Sequence, residues 1–150
     1  MIFSNSFLVL AVFLYSLNNL NKRDAMVVFP FVPVTPINFN LLDGNRGIIT
    51  AEQVKEGIND PEFYHTPMSK MVAIENTTNK GGGACYDISE LQKIKQVCVD
   101  HNLKYHLDGA RLWNAMITKK QQPKQFGELF DTISVCFSKG LGAPIGSVLI

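Results

Sequence analysis

From Thr50 onward the chain switches between helical and extended hydrophobic spacing. Val54 and Ile58 begin an apolar helix face, and Thr50 with Gln53 supplies the pair that closes a helix N-terminus on itself. Asn59, Asp60 and Pro61 stop that helix, because a residue before proline is driven out of the α region. The apolar run Met71–Ile74 predicts a buried strand, and "TTNKGGG" a loop after it. Asp87 and Glu90 form a second capping pair ahead of Leu91, Ile94 and Cys98, which recur at helical spacing. Asn102 suits the left-handed residue that ends such a helix. Leu103–Leu107 is the next strand. A short helix from Ala110 or Arg111 carries Leu112 and Ala115, and another includes Phe126 and Leu129. Thr132–Phe137 and Ile145–Ile150, rich in β-branched and aromatic residues, are the last strands.

The resulting order of helix, strand, helix, strand, helix, strand, strand predicts an α/β domain around a mainly parallel sheet. The strands read as unbroken apolar runs, as burial on both faces requires. Upstream, "VVFPFVPVTPINFN" holds Pro30, Pro33 and Pro36, which exclude a helix and demote a central strand. It reads as a linker or an edge segment, and "DGNRG" after it as a turn. The lead "MIFSNSFLVLAVFLYSL" contains the apolar run Phe7–Leu17, 11 residues long. A membrane helix needs roughly 20. No positive charge precedes the run and no small-residue cleavage pattern follows it. A buried apolar helix is the expectation, with a membrane anchor or a signal peptide as alternatives.

Composition then removes several function classes. A chain of 150 residues suits one domain. A net charge of +1 with no basic stripe gives no footprint for nucleic acid. Cys85, Cys98 and Cys136 are odd in number and form no CxxC pair, so neither a disulfide framework nor a zinc site is expected. They fit the reduced thiols of a cytoplasmic protein. His65, His101 and His106 lack metal-ligand spacing, so no metal is expected.

Candidate chemistry lies at the carboxyl ends of the strands, where open α/β sheets bind ligands. The first strand ends in Glu75, Asn76 and Thr77, the second in Asp108 with Arg111 beyond it, and the third in Ser138 and Lys139. Asp108 and Lys139 are separated by about one βαβ unit, so neighbouring strands can aim both into one crevice. Burial lowers a lysine's pKa, and a neutral lysine amine forms Schiff bases with carbonyls. An aspartate beside it can pair with a protonated ring nitrogen. Together these are the protein's share of pyridoxal-phosphate chemistry. Arg111 would face the same cavity and hold a carboxylate. His106 shares a strand face with Asp108 and could hold it by a hydrogen bond, although a core histidine satisfied within the fold is the simpler reading. Two blander readings stay open: Asp108 as a helix N-cap, and Lys139 as a solvated loop lysine. In "SKGLGAPIGS" the lysine precedes the glycines and the glycine spacing is wrong for a dinucleotide fingerprint. Gly140 and Gly142 instead permit tight turns beside Lys139.

The blocks "ENTTNKGGG", "YHLDGARLWNA" and "SVCFSKGLGAPIGSVL" resemble the L-threonine aldolase family, within the aromatic amino acid β-eliminating lyase/threonine aldolase group. The resemblance runs from about Asn38 to Ile150. It implies part of the large domain of a fold-type-I pyridoxal-phosphate enzyme over residues 36–150, without the small C-terminal domain. Residues 1–35 stand outside it as an apolar lead and Pro-rich linker. Implied roles are Lys139 as the Schiff-base lysine, Asp108 as the partner of the pyridine nitrogen, and Arg111 as the contact for the cofactor and the substrate carboxylate side. Asn76, His106 and Ser138 are further candidates. The implied reaction is retro-aldol cleavage of threonine- or allo-threonine-type β-hydroxy-α-amino acids to glycine and an aldehyde. A small amino-acid substrate, a homo-oligomer and a cytoplasmic location go with it. Thr78 departs from the pattern, since the family usually has histidine there. The competing readings are a non-catalytic remnant of such an enzyme and a membrane-anchored α/β module.

Overall fold

Thr50 and Gln53 close the first helix as their spacing demands. In the computed structural model, which describes residues 26–30, 40–63 and 65–150, helix α1 spans Ala51–Glu56. Thr50 Oγ1 accepts from the Gln53 N–H at 3.3 Å, and Gln53 Oε1 accepts from the Thr50 N–H at 2.9 Å. The second capping pair does not form. Helix α2 spans Ile88–Asp100, and Asp87 makes no side-chain cap. Asp87 pairs with Lys119 at 2.8 Å instead. Glu90 turns to the neighbouring helix and accepts from the Ala51 N–H at 2.8 Å. Ala51 is the first residue of α1, so the carboxylate answers an otherwise unpaired N-terminal donor and favours the helix dipole there. The pairing fails locally because a better donor lies across the helix–helix contact.

Leu91, Ile94 and Cys98 are fully buried, as their spacing predicts. They pack in one cluster with Val72, Ile74, Tyr105, Leu107, Phe126, Ile133 and Val135. Asn102 takes the left-handed conformation expected of it, with φ 53°. Helix α3 spans Leu112–Lys119 and ends on left-handed Lys120; helix α4 spans Pro123–Leu129, with its proline in the first turn.

The sheet orders its strands β2-β1-β3-β4-β5-β6, with β1 Met26–Pro30, β2 Asn40–Leu42, β3 Ser69–Glu75, β4 Lys104–Gly109, β5 Thr132–Cys136 and β6 Ser147–Leu149. β4 runs parallel to both β3 and β5. β1 is antiparallel to β2 and β3, and β6 is antiparallel to β5. Thus β2, β3, β4 and β5 run one way, and only β1 and β6 oppose them.

Met26–Pro30 corrects the linker-or-edge reading of the proline-rich segment, because β1 has a neighbour on each side. Pro30 is the last residue of the strand and sits where the register shifts, so its missing N–H interrupts no regular ladder. Pro33 and Pro36, and the apolar lead through residue 25, lie outside the described residues, as do the expectations attached to them. β6 is shorter than Ile145–Ile150 because Gly146, at φ 131°, still belongs to the preceding loop.

Candidate active site at the carboxyl edge of the sheet

The parallel centre of the sheet brings three strand ends to one edge. Glu75 closes β3 opposite Asp108 on β4, and Asp108 lies opposite Ser134 on β5. The Asn76 N–H donates to the Asp108 carbonyl at 3.0 Å, which carries the β3–β4 pairing one residue past the strand. Glu75, Asp108 and Arg111 are half-buried, and Ser138 and Lys139 are exposed in the loop that follows β5.

Asp108 is not the cap of α3. Its Oδ1 accepts from the Ala110 N–H at 3.0 Å, whereas the helix starts at Leu112 with Arg111 at the cap position. Among the described residues nothing donates to the second carboxylate oxygen. Arg111 Nη1 lies 3.5 Å from Glu75 Oε1, and Glu75 Oε2 accepts from the Asn79 N–H at 2.9 Å. Burial is the strongest influence on Glu75 and pushes its carboxyl above the ordinary range. The Asn79 N–H opposes the rise, Asp108 adds to it, and Arg111 and Lys139 oppose it. The charges of all three strand ends therefore reach one carboxylate. Sequence reasoning names Glu75 only as a strand-end residue; its register opposite Asp108 is the signal that it belongs to the cluster.

Lys139 is exposed in the loop after β5, as the solvated-loop reading has it, and is not a buried amine. Gly142 N–H donates to the Lys139 carbonyl at 3.0 Å, and Gly142 has φ 68°, so the turn beside the lysine does need a glycine there. Gly140 serves a close approach instead: a Cβ at that position would stand 2.5 Å from Asn114 Oδ1.

His106 is fully buried, and its Nδ1 lies 2.8 Å from Thr132 Oγ1 on β5. His106 is thus a core histidine whose bond runs across the strands to Thr132, its direct register partner, and the possible hold on Asp108 is not made. Burial lowers the His106 pKa to about 4, with Asp108 and a bond to the Thr132 main chain opposing. Asn76 is fully buried; its Oδ1 accepts from the Tyr86 N–H at 3.4 Å, and its Nδ2 has no partner among the described residues. Thr78, where the family pattern has histidine, is buried and donates to the Arg46 carbonyl at 2.9 Å. It ties the "TTNKGGG" loop to the turn at Arg46, and Arg46 Nε returns a bond to the Gly81 carbonyl at 2.9 Å. That loop is close-packed: a Cβ on Gly81 would collide with the Arg46 carbonyl.

All three cysteines are unpaired, and burial pushes the Cys98 thiol up to about 12, which makes it a packing group. No cluster of three His, Cys, Asp or Glu side chains among the described residues could hold a metal ion. No helix among them is long and apolar enough to cross a membrane.

The family model described as beta-eliminating lyase matches residues 28–150 and so takes in the end of β1. The chain is 42% identical over 120 residues to the low specificity L-threonine aldolase of Saccharomyces cerevisiae, covering 79% of this chain and 28% of that protein. It is 40% identical over 118 residues to the low-specificity L-threonine aldolase of Eremothecium gossypii, covering 78% of this chain and 29% of that protein. The threonine aldolase structure from Leishmania major superposes with a TM-score of 0.63 at 27% identity, covering 71% of this chain and 31% of that one.

A sheet with a parallel centre and a charged carboxyl edge, alike in fold to that structure, defines a domain of the fold-type-I pyridoxal-phosphate class. Within that class, this chain belongs to the beta-eliminating lyase family. It spans less than a third of the length of the curated threonine aldolases it matches.

Proposed function

We propose that this chain carries the lysine-bearing edge of a pyridoxal-phosphate-dependent carbon–carbon lyase. Its substrates would be threonine- and allo-threonine-type β-hydroxy-α-amino acids, and its products glycine and an aldehyde. The observation that carries this reading is the edge itself: Glu75 and Asp108 are register partners on parallel strands, Arg111 lies 3.5 Å from Glu75, and Lys139 follows β5, the next parallel strand. The donor chemistry fits the cofactor. Lys139 offers an exposed amine for a Schiff base, and, among the described residues, Asp108 has a carboxylate oxygen with no donor and Asn76 a buried amide nitrogen with no acceptor.

On this reading Lys139 attaches the cofactor. Asp108, held at Oδ1 by Ala110, keeps its second oxygen for the ring nitrogen and holds a proton there. Arg111 binds the substrate carboxylate with the donors not turned to Glu75. Asn76 and Ser138 line the edge, and His106, neutral and bonded to Thr132, supports the strand that carries Asp108. When bound, pyridoxal phosphate supplies the electron sink that makes the Cα–Cβ bond breakable. Residues 28–150, with the part of β1 they contain, would form part of the large domain, and the parent enzyme would be a cytoplasmic homo-oligomer.

The exposure of Lys139 favours a second reading, a non-catalytic remnant that keeps the motif without a closed pocket. One experiment separates the two: treat the purified chain with pyridoxal phosphate, reduce with borohydride and map modified lysines by mass spectrometry. The lyase reading expects label at Lys139, lost in Lys139→Ala, and release of glycine from threonine or allo-threonine. Label scattered over surface lysines, or none, would leave the remnant reading.

A further inference from the structure

We infer that Glu75 is a positioning residue for Arg111, fixing the direction in which the guanidinium presents its remaining donors to a carboxylate-bearing ligand. The inference rests on the reading of Arg111 given above and adds a residue to it. The two carboxylate oxygens have separate partners. Oε2 accepts from the Asn79 N–H at 2.9 Å, which ties Glu75 to the loop after β3. Oε1 lies 3.5 Å from Arg111 Nη1, at the cap position of α3. The carboxylate thereby spans two neighbouring strand ends, where Glu75 and Asp108 are register partners.

A long arginine side chain at the mouth of a strand samples many rotamers, and a planar guanidinium binds a carboxylate well only when its fork is aimed. An acceptor anchored by a main-chain bond holds one nitrogen, Nη1, and leaves the other donors of the fork for a ligand carboxylate. The pair is not a fully solvated surface contact, since the side chains of Arg111 and Glu75 are 31% and 30% exposed. The ion pair given for Arg111 among the described residues is with Glu75, and the second oxygen of Asp108 stays without a donor among them.

The test compares the wild-type chain with Glu75→Gln and Glu75→Ala. The first arm needs no cofactor: the rate of phenylglyoxal modification at Arg111, mapped by mass spectrometry. Glu75→Ala is expected to react several-fold faster than wild type. Glu75→Gln, which keeps a neutral acceptor in the same place, should fall between them. Equal rates in three chains with the same circular dichroism spectrum would overturn the proposal. The second arm measures glycine binding to chain loaded with pyridoxal phosphate. Glu75→Ala should weaken it about tenfold, the scale of one charge-assisted contact, with the yield of reductive label at Lys139 unchanged. An unchanged glycine affinity overturns the proposal. Absence of label in the wild type overturns the functional reading alone, and the phenylglyoxal rates then still decide whether Glu75 holds Arg111.

Discussion

The two ends of the same parallel strands treat a carboxylate in opposite ways. At the amino end, Asp131 stands just before β5 and accepts from the Tyr105 N–H at 3.0 Å, from Lys104 at 3.1 Å and from Lys95 at 3.3 Å. Burial would raise its carboxyl, but the Tyr105 N–H and the two ammonium groups outweigh burial and hold it below the ordinary range. At the carboxyl end, burial wins and Glu75 is raised, although a backbone N–H, an arginine and a lysine oppose it. Asp131 has its oxygens answered by groups that belong to the fold. The carboxyl edge keeps capacity unspent, at Asp108 and at Asn76. A finished charge cluster stabilises; an unfinished one is where a ligand gains most by arriving.

The largest effect that tests this contrast is all-or-none. Lys139→Ala should abolish reductive labelling with pyridoxal phosphate while leaving the denaturant midpoint nearly unchanged, because truncating an exposed side chain shifts stability by only about 0.5 kcal/mol. A large loss of stability in Lys139→Ala would assign the lysine to the fold and blur the distinction between the two ends.

His106 lies between them, buried in β4 two positions before Asp108, and gives the largest effect on stability. Above pH 6.5 the histidine is neutral in the folded and unfolded chains alike. As pH falls below that value, the unfolded chain takes up a proton that the folded chain refuses until about pH 4. The unfolded state then binds more protons, so stability falls with falling pH across that window, by at most roughly 3 kcal/mol. Urea unfolding of wild type and His106→Gln at several pH values between 7 and 4 isolates this contribution, since the other titrating groups are common to both. Parallel stability curves for the two chains would show that His106 takes its proton when folded.

Asp131→Ala comes next. It leaves the Tyr105 N–H without its acceptor and frees two lysines, and should cost about 1–3 kcal/mol in urea unfolding without altering labelling at Lys139. A change in labelling with no change in stability would reverse the assignment of the two ends.

How much of this was legible in the sequence follows the range of the forces involved. Short-range signals carried well: the Thr50–Gln53 cap, the Leu91, Ile94 and Cys98 face, and left-handed Asn102 all act within a turn or two of helix. The Asp87–Glu90 cap obeyed the same local rule and failed, because Ala51 and Lys119 offered partners that no local window contains. β1 was hidden for a similar reason. Pro30 argues against a central strand until its position at the strand's last residue is known. At the site, the residue types of Asp108, Arg111 and Lys139 could be named from strand ends and from family resemblance. The part of Glu75 could not, because it arises from register between β3 and β4; for Lys139 the sequence left a buried amine and a solvated loop lysine both open, and packing around the loop decides for the second.

The smallest expected change in stability makes the sharpest comparison. Asp108→Asn keeps an oxygen to accept from Ala110 and keeps the side-chain shape, so the turn after β4 should survive with a loss of about 0.5 kcal/mol or less. If Asp108 served only that turn, the variant would be silent in every assay. If its second oxygen serves a protonated ring nitrogen, the asparagine cannot supply the charge that keeps the proton there. The affinity for pyridoxal phosphate should then fall while the urea midpoint stays put. Titrating the cofactor by absorbance against both chains, beside their unfolding curves, separates the two cases. Equal cofactor affinity would return Asp108 to a structural role like that of Asp131, whereas a loss confined to the cofactor would place the difference between the two strand ends in the charge of one oxygen.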